Sequence, residues 1–136
     1  MVKFKLKTKF DFDAAHRLVG YDGKCQNCHG HIWTCQIEVV GKELDEIGML
    51  WDFTNAKKIK DLFDHKTILK NCTENVNLIN LLRKENNEIY LMYSNPTAEN
   101  LCKEILEALK YQNPKLKYKV TVWESPKSSC EVESEN

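Results

Sequence analysis

From Phe4 to Phe12 the chain alternates strictly, with Phe4, Leu6, Phe10 and Phe12 on one side, Thr8 among them, and Lys3, Lys5, Lys7, Lys9 and Asp11 on the other. A period of two spells a half-buried strand. If the extended run continues without a bulge, His16 has the parity of Phe12 and faces inward. A loop rich in Gly, Asp and Asn, from Gly20 to Asn27, then leads to a second strand from about His31 to Val40 that ends at Gly41. Two consecutive strands predict an antiparallel pair.

The period then lengthens. Asp52 or Thr54 can cap a first helix whose apolar stripe is Phe53, Ala56, Ile59, Leu62 and Phe63. Asn95-Pro96-Thr97 supplies the start signals of a second helix, in which Ala98, Leu101, Cys102, Ile105, Leu106 and Leu109 recur at helical spacing, and which ends before Asn113-Pro114. Between them, the pattern predicts a short helical turn over Asn75 to Arg83 and a short strand over Ile89 to Tyr93. Tyr118, Val120, Val122 and Glu124 alternate with Lys117, Lys119, Thr121 and Trp123, a third long strand on which Glu124 carries the parity of the apolar face. The alternative is a strand that stops at Trp123 and leaves Glu124 solvated. A last short strand is expected around Cys130 to Val132.

Length and charge narrow the field. The 136 residues suit a single domain, 1–136, with one pocket. Lys plus Arg and Asp plus Glu are both 20, so no basic field predicts a nucleic-acid partner. No run is long and apolar enough to predict a membrane span, and the charged, alternating start is unlike a signal peptide, so a cytoplasmic location is expected. In such a compartment the six cysteines stay reduced, and Cys35, Cys72, Cys102 and Cys130 read as small apolar or incidental residues.

The chemistry concentrates in four histidines. His29 and His31 flank Gly30, and an i, i+2 pair on a strand points both imidazoles the same way. With His16 from the neighbouring strand they can share one metal ion and leave a position for water or substrate, the pattern of a catalytic zinc site. Gly30 would permit close backbone approach beside them. Cys25 and Cys28 form a C-x-x-C before His29 with three readings: a structural zinc knuckle, a redox dithiol, or one cysteine, preferably Cys25, acting as base or nucleophile beside the metal. Asp64-His65 has the makings of a proton shuttle, or of an exposed helix end where a histidine suits the dipole.

Taken in order, Phe12-Asp13-Ala14-Ala15-His16-Arg17-Leu18, Cys25 with His29-Gly30-His31, Gly48-Met49 with Asp52-Phe53, Asp64-His65, Asn95 to Asn100 and Glu124 resemble the 6-pyruvoyltetrahydropterin synthase family over nearly the whole chain. The helix start Asn95 to Asn100 is most similar to the bacterial branch called 6-carboxytetrahydropterin synthase, which serves queuosine precursor synthesis. The resemblance implies an α+β tunnelling fold: an antiparallel four-stranded sheet with two helices on one face, whose sheets join into a barrel in a homo-oligomer, commonly a hexamer. It also implies the substrate 7,8-dihydroneopterin triphosphate, and Zn2+ held by His16, His29 and His31 that binds the side-chain hydroxyls and acidifies neighbouring carbon-bound protons. Cys25 would abstract a proton as thiolate, and Asp64-His65, reaching across a subunit interface, would relay another. Glu124 would anchor the pterin through two parallel hydrogen bonds, assisted by Thr97 and Glu99, with plain helix capping the alternative for Thr97.

In the carboxy branch, triphosphate elimination and side-chain cleavage release acetaldehyde; the pyruvoyl branch retains the side chain. Cys28, Phe63 and Ser125 depart from the residues usual in the family, and Lys70 to Ser94 is longer than in its shortest members. Two other possibilities stand beside the lyase. One is a binding module whose structural zinc is closed by Cys25, Cys28, His29 and His31; the other is a metal-free, pterin aldolase-like relative. For the triphosphate, Arg17 and several lysines are candidates.

Overall fold

The computed structural model describes residues 2–135. Six strands form one sheet: β1 (Phe4–His16), β2 (His29–Gly41), β3 (Lys66–Lys70), β4 (Ile89–Met92), β5 (Lys117–Ser125) and β6 (Ser128–Glu133). Their spatial order is β4-β3-β1-β2-β5-β6. Three α-helices interrupt them, α1 (Thr54–Phe63), α2 (Val76–Lys84) and α3 (Ala98–Gln112).

The alternation in β1 does what its period demands. Phe12, Ala14 and His16 are buried while Lys5, Lys7, Lys9, Asp11 and Asp13 face outward, so the strand runs unbroken through His16. β1 and β2 pair antiparallel from Phe4↔Gly41 to His16↔His29. The two pairings beyond them, β2 with β5 and β5 with β6, are antiparallel as well. These four strands are the expected antiparallel unit. Two short strands extend it, because β3 pairs parallel to β1 and β4 parallel to β3.

β3 is absent from the hydrophobic pattern for a physical reason. Its centre, Ile68-Leu69, is fully buried on consecutive positions, as parallel strands covered on both faces are. Nothing alternates. The 75–83 turn is in fact a nine-residue helix, α2.

α1 and α3 cover the inner face of the sheet. Phe12, Trp33, Ile37, Val39, Val120 and Val122 from the strands meet Ile59 and Phe63 of α1 and Leu101, Ile105 and Leu109 of α3 in one core. One member of the expected α1 stripe fails: Phe53 precedes the helix and is half exposed. Asp52 provides the start signal instead, its Oδ1 accepting from the Thr54 backbone N–H at 2.9 Å and from its hydroxyl at 2.8 Å. No helix among the described residues is long and apolar enough to cross a membrane.

Candidate metal and catalytic site

His16 ends β1 and His29 begins β2, and the register places them directly opposite each other. His31 lies two residues on, on the same face. The three rings therefore converge, with centroids 4.6 to 5.3 Å apart. Beneath them lies Trp33, edge to face with His16 and His31 and stacked on Phe12, an apolar floor.

Backbone carbonyls fix how two of the rings are turned. His16 Nδ1 donates to Pro96 O at 2.7 Å, and His29 Nδ1 donates to Asn27 O at 2.7 Å. With both protons on Nδ1, the two Nε2 atoms turn lone pairs toward each other across 3.1 Å. Such an approach is repulsive unless a cation or a proton lies between them. His31 Nε2 is buried without a hydrogen bond, although Glu124 Oε1 is 3.0 Å away, because the carboxylate lies off the ring N–H direction. Burial pushes His16 below its ordinary 6.5, against the pull of the Pro96 carbonyl, which favours a neutral ring with a free lone pair. Two opposed lone pairs and one orphaned nitrogen fit a divalent cation, and the donor set, all imidazole nitrogen, suits zinc.

Glu124 completes this cluster. His16, His29, His31 and Glu124 each offer a donor atom, and the four atoms lie within 4.8 Å of one another. The solvated alternative for Glu124 does not hold, since β5 runs on to Ser125 and the pairing with β6 shifts register between Trp123 and Ser125. Glu124 keeps the parity of the buried Tyr118, Val120 and Val122 and so faces the imidazoles. No thiol belongs to the cluster among the described residues. Cys25 is half buried on the 3-10 turn Lys24–Gln26 and Cys28 is exposed, so the closed knuckle of two cysteines and two histidines is not formed.

Asp64 and His65 follow α1, beside the end of β1. His65 Nδ1 is 3.1 Å from Asp64 Oδ1, and that oxygen also accepts the Asp13 backbone N–H at 3.0 Å. The hydrogen bond from Asp13 is the main reason the Asp64 carboxyl lies below its ordinary 3.8. His65 lines a groove of about 540 Å3 with Asp13, Gly30, His31 and Ile32. A second groove, of about 660 Å3, shares Gly30, His31 and Ile32 and adds Trp123 and Glu124. His31 thus stands where the two meet. A Cβ on Gly30 would meet only Ala14 O, at 3.8 Å, so crowding does not demand glycine there as the sequence had suggested.

The helix-start residues divide. Thr97 caps α3, its hydroxyl accepting the Asn100 N–H at 3.1 Å, and Glu99 is exposed in the first turn. Neither belongs to the imidazole cluster. Arg17 donates to Asn75 Oδ1 at 2.8 Å and Glu74 O at 2.9 Å, which ties the turn before α2 to the end of β1 and weakens its claim on a phosphate. Sequence reasoning missed the orienting carbonyls of Asn27 and Pro96. It also missed Asn95, whose side-chain amide grips both the N–H and the C=O of Val19 at 2.9 and 2.8 Å. Backbone carbonyls leave no sequence signal, but the Asn95-Pro96 pair marked where such a loop would lie.

Residues 5–135 match the family described as 6-pyruvoyl tetrahydropterin synthase. The 6-carboxy-5,6,7,8-tetrahydropterin synthase of Haemophilus influenzae is 35% identical over 139 residues, covering 96% of this chain and 99% of that one. Its namesake from Rickettsia typhi is 37% identical over 102 residues, covering 71% and 73%. Among solved structures, the Caenorhabditis elegans 6-pyruvoyl tetrahydropterin synthase superposes with a TM-score of 0.69 at 27% identity, covering 99% of this chain and 98% of its own. An uncharacterized protein of Wolinella succinogenes reaches 0.78 at 19% identity, covering 99% and 100%, and speaks for the fold alone. The tunnelling fold expected from the sequence is therefore present, and this chain belongs to the 6-pyruvoyl tetrahydropterin synthase family.

Proposed function

We propose that this protein is a zinc-dependent lyase that converts 7,8-dihydroneopterin triphosphate to 6-carboxy-5,6,7,8-tetrahydropterin, releasing acetaldehyde and triphosphate, in queuosine precursor synthesis. The observation that carries the reading is the facing of His16 and His29 Nε2 across 3.1 Å beside the orphaned His31 Nε2. The name shared by the Haemophilus and Rickettsia relatives directs it to the carboxy product.

His16, His29 and His31 would hold the zinc, which would supply Lewis acidity toward the side-chain hydroxyls of the substrate and so acidify the adjacent C–H bonds. The rest is done by the chain. Cys25, as thiolate, takes a carbon-bound proton. His65 relays a second proton while Asp64 holds its Nδ1–H and fixes which nitrogen is free. Glu124, at the bulge and about one-third exposed, turns from the imidazoles to accept two hydrogen bonds from the flat heterocycle. Thr97 and Glu99 assist at the same pocket from the start of α3. The protein works as one domain in the cytoplasm, where Cys25 stays reduced, and assembles as a hexamer.

Incubation of purified protein with 7,8-dihydroneopterin triphosphate tests the reading. Acetaldehyde and a carboxylated pterin are expected in equal amounts. A pterin that keeps its side chain would instead identify a pyruvoyl-type synthase. Chelation gives a separate check, because removal of a catalytic zinc leaves a folded, inactive protein, whereas loss of a structural one melts the domain.

A further inference from the structure

Asp13 touches the Asp64-His65 pair at three points. Its N–H donates to Asp64 Oδ1 at 3.0 Å, its C=O accepts the His65 N–H at 2.6 Å, and its Oδ2 lies 3.9 Å from His65 Nε2. Asp64 Oδ1, which takes the Asp13 N–H, also lies 3.1 Å from His65 Nδ1. Each nitrogen of the His65 ring thus faces a different carboxylate, Asp64 at Nδ1 and Asp13 at Nε2.

This arrangement is costly to keep for stability alone. His65 holds a backbone φ of 61°, in the left-handed region that histidine adopts rarely. Asp64 places a carboxylate at the C-terminal end of α1, where the helix dipole repels it. Asp13 itself points outward from β1 into the groove shared by His65 and His31, three residues before the ligand His16.

We propose that Asp13 is a positioning residue for the proton relay. Its backbone docks the Asp64-His65 pair onto the metal strand, and its carboxylate is the counter-charge that receives the imidazolium once Nε2 has taken a proton. Asp64 holds the ring from behind; Asp13 holds it in front. The inference rests on the lyase reading for its catalytic meaning, but the geometry can be tested without turnover.

Asp13→Asn keeps the backbone links and the size of the side chain while removing its charge, and Asp13→Glu restores the charge. In Asp13→Asn, kcat should fall about 10-fold with KM changed less than about twofold, and Asp13→Glu should recover most of the loss. The nitrogen resonances of the His65 ring, followed by NMR in zinc-loaded protein, should shift in Asp13→Asn and return in Asp13→Glu, with thermal melts unchanged throughout. Unaltered ring resonances in Asp13→Asn overturn the proposal, as does equal impairment of the Asn and Glu variants. If the wild type fails to turn over 7,8-dihydroneopterin triphosphate, the functional reading falls and the ring resonances alone decide the part played by Asp13.

Discussion

Three imidazoles and one carboxylate share one small volume, and the proposed function gives His16 and Glu124 different tasks within it. On the zinc reading, replacing His16 by Ala removes a nitrogen donor whose ring the Pro96 carbonyl has already oriented, and metal content after gel filtration should drop to near zero. Glu124→Gln should retain one zinc per chain and lose turnover, because a neutral amide cannot accept two hydrogen bonds from the heterocycle. Metal analysis of the two variants checks both; loss of zinc from Glu124→Gln would make that residue a fourth ligand. Cys25→Ala should retain zinc too, with kcat lower by about 10²- to 10⁴-fold, the range for removal of a general base. The convergence of the histidines was legible because parity is strict: a strand that keeps Phe12 inward keeps His16 inward. The inward turn of Glu124 was legible by the same rule, since it shares the parity of Tyr118, Val120 and Val122; the register shift against β6 at Trp123 to Ser125 was not, because no glycine announces it.

Elements that alternate or repeat at helical spacing declared themselves, which is why β1, β2, β5, α1 and α3 were readable from the sequence. β3 was hidden by its buried neighbours Ile68 and Leu69, and its parallel pairing to β1 follows from long-range packing with no local signature. At the start of α3, capping and substrate binding make different demands on Thr97. Thr97→Ala should lower stability by about 1 kcal/mol in chemical denaturation, the usual value of an N-cap side chain, while Thr97→Ser should be neutral. A rise in KM for Thr97→Ser would add a substrate contact to the cap. The two ends of α1 give the pH dependence. Asp52 is held below its ordinary 3.8 chiefly by the Thr54 backbone N–H, and Asp64 chiefly by that of Asp13. A carboxyl depressed by folding contributes stability above its unfolded value and loses it as pH falls through the lower, folded one. Melting temperature should therefore decline as the pH drops below about 4, and Asp64→Asn should flatten part of that decline.

A single copy of the chain leaves both grooves open. His65 is three-quarters exposed, Ile32 stands two-thirds exposed between the two grooves, and β4 and β6 present free sheet edges. Unpaired edges invite a second copy to continue the sheet, and closure into a ring removes them altogether. Under the proposed hexamer the imidazole cluster of one protomer meets the Asp64-His65 pair of another, and two separately inactive variants should then repair each other. His16→Ala protein still carries an intact relay; His65→Ala protein still carries an intact metal cluster. Dissociated in mild denaturant, mixed in equal amounts and reassembled, they should form complete sites in about a quarter of positions, since each site draws its two halves independently from the pool. Activity near a quarter of wild type is the expected result, against almost none for either variant reassembled alone. Reassembled mixtures that stay inactive, although light scattering shows the same oligomer as wild type, would mean that cluster and relay serve one another within a single chain. The groove that His65 and His31 line within one chain would then be where the two meet.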